Sequence, residues 1–107
     1  MEPLLILTNV PDAASAEKLA RALIDSRAAA CVNVLAACRS IYRWQGAVET
    51  ANEIPLLIKS TAAHYPLVEQ IVRAQHPYDL PELIAIPITQ GLPAYLDWLV
   101  TETEQHD

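Results

Sequence analysis

Several things are scarce or missing in this chain, and each absence narrows what it can be. No apolar run approaches the ~20 residues of a helical membrane span. The opening Met1-Glu2-Pro3-Leu4 has no basic segment, and Leu4–Leu7 is too short for the apolar core of a signal peptide. A cytoplasmic protein with no membrane partner is therefore expected. Basic residues are few: seven Lys and Arg stand against thirteen Asp and Glu, and no two of the seven are adjacent. The net charge of −6 and pI near 4.9 argue against nucleic acid as a partner, because binding it takes clustered cations that displace counterions from phosphates. Cysteine occurs twice, at Cys31 and Cys38. In an extended segment these lie ~23 Å apart at ~3.3 Å per residue, too far for a disulfide. There is no CxxC, zinc-finger or HExxH spacing, so each thiol reads most simply as a small buried apolar residue. A GxSxG elbow, a P-loop and a dinucleotide fingerprint are all missing, and neither cysteine has a visible activating partner. No enzyme is expected.

What remains is a chain of 107 residues, 52% hydrophobic, which fits one domain over 1–107 with a single core. Leu4–Thr8 is a continuous apolar run, the pattern of a strand buried on both faces. Asp12 is a good N-cap, and Ala16, Leu19, Ala20, Leu23 and Ile24 form one stripe of a helix over about 12–28. Cys31–Leu35 is extended, Ala36-Ala37 interrupts it, and Ser40–Trp44 follows, with a turn at Gln45-Gly46. Val48, Thr50, Ile54, Leu56 and Ile58 then alternate with Glu49, Glu53 and Lys59, the period of a half-buried strand with its charged face to water.

A second helix begins near His64–Tyr65, tolerates Pro66 in its first turn and stops at Pro77; Leu67, Val68, Ile71 and Val72 are its stripe. Leu83–Ile88 is a strand whose Pro87 belongs at a sheet edge. Gly91-Leu92-Pro93 opens a last helix, with Leu92, Tyr95, Leu96 and Leu99 on its buried face and a polar, frayed tail over 101–107. The order is β-α-β-β-α-β followed by a helix, an α+β ferredoxin-like plan.

The length of the central hairpin is awkward for a monomer. Arms of about 14 residues reach roughly 45 Å, whereas a domain of this size is about 30–35 Å across. Ile41, Tyr42, Trp44 and Val48 near its tip are not suited to water, so strand pairing between subunits is the simplest resolution. The alternative is a bend at Ala36-Ala37 that folds the hairpin onto its own core.

The segment Gln75–Leu83 sets an imidazole, a phenol and two carboxylates between Pro77 and Pro81. Proline stiffens the connector and holds its neighbours extended. The polar groups can meet a ligand or a partner chain, or simply face water.

Pro11-Asp12, Ala29–Asn33, Ser40–Gly46, Glu53 with Lys59-Ser60-Thr61, His76-Pro77-Tyr78 with Pro81-Glu82, and Gly91 with Tyr95–Trp98 form a collinear set. Together they resemble the CutA family, small proteins named for divalent-cation tolerance, over roughly residues 4–100. The resemblance implies a ferredoxin-like subunit and a homotrimer whose long hairpins pair across subunits. Tyr42, Trp44 and Trp98 are its implied interface residues. It also implies an architecture like that of PII signalling trimers, and copper as ligand in some members; since a neutral imidazole suits Cu(II) or Zn(II), a divalent cation, copper or zinc, is the expected cofactor. In a copper site of the family, a cysteine position falls on Thr8 and the first of two adjacent histidines on Gln75. His76 alone keeps its identity and is the metal candidate.

Cys31, Lys59, Tyr78 and Glu82 are the candidates to line a cleft for a small ligand or protein partner. His76 is equally suited to hydrogen bonding at the helix end, and Glu82 and Asp79 to surface or intersubunit hydrogen bonds. Lys59 either meets an anionic ligand or pairs with Glu53. His64 lies about 18 Å from His76 along a helix, too far to share a metal in one subunit. His106 lies in the tail.

Overall fold

Ala47–Thr61 runs extended for 15 residues, and in the computed structural model, which describes residues 2–105, it is the longest element. The chain runs β1 (Pro3–Val10), α1 (Ala13–Asp25), β2 (Cys31–Val34), β3 (Cys38–Trp44), β4 (Ala47–Thr61), a 3-10 turn (Ala62–His64), α2 (Tyr65–Gln75), β5 (Ile84–Pro87) and α3 (Pro93–Glu102). The antiparallel sheet has the order β2-β4-β1-β5, and β3 pairs with the outer half of β4. This is the ferredoxin-like order with α3 added. His106 and Asp107, the end of the expected tail, lie outside the described residues.

One sheet face is sealed. Leu4, Ile6 and Val10 of β1 and Leu56 and Ile58 of β4 pack beneath Ala16, Leu19 and Leu23 of α1 and Val68 and Val72 of α2. Asp12 caps α1 by accepting a hydrogen bond from the Ser15 amide at 2.7 Å. That bond holds its carboxyl below the ordinary value of 3.8. The helix stops earlier than residue 28, because Ser26 caps it and Arg27 takes a left-handed φ of 62°. Pro77 ends α2 as expected: His76, the residue before it, is extended, with ψ at 135°.

The opposite sheet face is sparsely covered. β1 alternates buried and half-buried residues, so it is not buried on both sides as its apolar run suggests. Of the expected inner face of α3, Leu99 is fully buried, but Leu92 is 72% exposed and Tyr95 is also exposed, because one short helix cannot span this face. Ile84 and Ile86 on the edge strand β5 are exposed as well, and Pro87 sits on that edge. The tail is better anchored than expected: Thr103 is buried, and its hydroxyl donates to the Leu99 and Val100 carbonyls.

The hairpin projects, and the molecule measures 44 × 29 × 23 Å. Gln45 and Gly46 have φ of 49° and 83°, both positive, which joins Trp44 and Ala47 through a two-residue turn matched to strand twist. Val48 and Thr50 are exposed instead of half-buried, since no helix reaches this far. Cys38 is exposed for the same reason, contrary to the buried thiol expected, and Cys31 is intermediate.

The packing makes α1 the main support of the core. Leu23→Ala is expected to destabilise the fold by about 3 kcal/mol through lost burial and a residual cavity. Urea unfolding monitored by circular dichroism checks this.

Candidate functional site

A kink in the hairpin positions the site. β2 pairs with β4 as Val34↔Leu56, while β3 resumes as Cys38↔Glu53. Leu35, Ala36 and Ala37 therefore oppose only Ile54 and Pro55, a bulge of one extra residue. Pro55 has no N–H to donate, and its carbonyl accepts from the Leu35 amide at 3.0 Å. The extra residue shifts pairing by one, which sends Tyr42 and Trp44 to the face of β4 that carries Glu53.

The loop from Pro77 to Glu82 folds against that face and encloses a cleft of about 760 Å³. Asn9, Ser40, Ile41, Tyr42, Trp44, Glu53, Pro77, Tyr78, Asp79, Leu80 and Glu82 line it. Two hydrogen bonds from the end of β1 hold the loop. Thr8 Oγ1 donates to the Glu82 carbonyl at 2.7 Å, and Asn9 Nδ2 donates to Glu82 Oε1 at 3.3 Å.

His76 locks the start of the loop. Its Nδ1 accepts from the Tyr78 amide at 3.1 Å, so Nε2 carries the proton and donates to the Asn9 carbonyl at 2.6 Å. Both ring nitrogens are thus engaged with backbone, and the ring packs 4.8 Å from that of Tyr78. Thr8 spends its hydroxyl on the loop. Among the described residues no three His, Cys, Asp or Glu side chains gather as a metal site.

Glu53 was expected on the water face of its strand, yet it is buried, because the loop covers it. Tyr78 Oη donates to Glu53 Oε2 at 3.3 Å. Desolvation, followed by the charge of Glu53, raises the Tyr78 phenol above its ordinary value of 10.0. Lys59 does not pair with Glu53, which lies six residues, ~20 Å, away along β4. Its ammonium instead sits 5.8 Å from the centroid of the Tyr95 ring. Lys59 and its cross-strand neighbour Cys31 therefore stand apart from the cleft, on the sparsely covered face with α3.

Of the candidates, then, Tyr42, Trp44, Tyr78 and Glu82 converge, His76 supports them, and Cys31, Lys59 and Trp98 lie elsewhere. Asn9, Ser40 and Glu53 join the site unexpectedly. A polar residue closing the apolar run of β1 was the available signal for Asn9.

The family model described as CutA1 divalent ion tolerance protein matches residues 4–102. The chain belongs to the CutA family. It is 45% identical over 99 residues to the divalent-cation tolerance protein CutA of Thermus thermophilus, covering 92% of this chain and 96% of the relative. The crystal structure of CutA from Xylella fastidiosa superposes with a TM-score of 0.94 at 46% identity, covering 97% of this chain and all of the other. A periplasmic divalent cation tolerance protein CutA from Archaeoglobus fulgidus superposes with a TM-score of 0.92 at 34% identity, covering 97% and 100%. Among the described residues of this CutA chain, no helix is long and apolar enough to cross a membrane.

The Glu53–Tyr78 contact has a measurable signature. Ultraviolet titration should show late-ionising tyrosines, one of them removed by Tyr78→Phe and another by Tyr65→Phe, whose phenol is also raised. Glu53→Gln should lower the Tyr78 value, since it removes a negative charge that opposes phenolate. Stability contributed by Tyr78 is complete below its ordinary value and lost as pH rises through its raised one.

Proposed function

We propose that this CutA-family protein acts in the tolerance of divalent metal ions, the role for which its relatives are named, as a non-enzymatic homotrimer. One observation supports the assembly: Ile41 and Val48 on the projecting hairpin are 65% and 64% exposed, with Tyr42 and Trp44 beside them. Such a strand pair finds its cover in another copy. Trp98, Ile84 and Ile86 on the sparsely covered sheet face supply further apolar contact area. The free thiols Cys31 and Cys38 suit a reducing compartment, and the proposal takes this to be the cytoplasm.

Copper and zinc are the ions to test, with His76 the ligand candidate carried by the resemblance. A metal at its Nδ1 has to displace the Tyr78 amide. A second reading, a PII-like scaffold for a small ligand, is favoured by the cleft of about 760 Å³ beside the hairpin.

Native mass spectrometry at micromolar concentration should give a trimer with and without equimolar Cu(II) or Zn(II). Mostly folded monomer would overturn the assembly. Metal retained stoichiometrically and lost in His76→Ala would establish a dedicated site there, whereas metal shed to a mild chelator would leave tolerance independent of such a site. Growth of the source organism in graded copper, with and without the gene, tests the role. Unchanged tolerance after deletion counts against it.

A further inference from the structure

We draw no further inference here: the strongest candidate, the acidic cleft between the projecting hairpin and the Pro77–Glu82 loop, has as walls Tyr42 and Trp44, which the proposed homotrimer covers with another copy, and nothing in the structure shows what then faces Glu53.

Discussion

β4 outruns the helices that cover it, and the rest of the molecule follows from that mismatch. Its inner half, from Ile54 to Thr61, pairs with β1, while Leu56–Lys59 also pair with β2; α1 and α2 seal one face there. Its outer half, from Ala47 to Glu53, has β3 as its only strand neighbour among the described residues. A strand with fifteen residues is far longer than the five or six typical of globular domains. The inner half builds a monomer core, and the outer half carries apolar side chains that the monomer cannot bury. The same strand thus stabilises the subunit at one end and exposes apolar side chains at the other.

Much of this architecture is legible in the sequence because it depends on local periodicity. The stripe Ala16, Leu19, Ala20, Leu23 requires only that one helix face be buried, and it is. Gln45-Gly46 and Pro77 act through their own backbone preferences, so the turn and the helix stop fall where expected. Most of the failures are tertiary. Whether Leu92 or Cys38 is covered depends on how far α3 and the helical layer extend, which no local pattern encodes. Glu53 sits in a polar alternation that reads as solvent-facing, and becomes buried only when a loop some twenty-five residues later closes over it. Lys59 and Glu53 lie on one strand face, which suggested a pair, but the strand rise separates them.

The histidine segment illustrates how a side chain takes its physical meaning from its neighbours. In this chain Thr8 and Asn9 face the loop with a hydroxyl, an amide and a carbonyl. His76 answers with one donor and one acceptor, each satisfied by backbone. The three residues together fix the Pro77–Glu82 loop against β1, and through it hold Tyr78 over Glu53. His76 is in this respect a positioning residue for the acidic cleft, whatever its relation to metal.

The bulge opposite Pro55 decides what that cleft contains. Had β3 continued in the register of β2, the partner of Tyr42 would be Val48, not Glu49, and both aromatics would point away from Glu53. Arg39, Ile41 and Arg43 would occupy the Glu53 face in their place. Two guanidinium groups would then stand on the wall that now holds acids and aromatic rings, and the buried carboxylate would have a countercharge from its own chain. One extra residue, placed where proline cannot donate to the ladder, therefore removes the internal cations from the site and installs ring faces in their place.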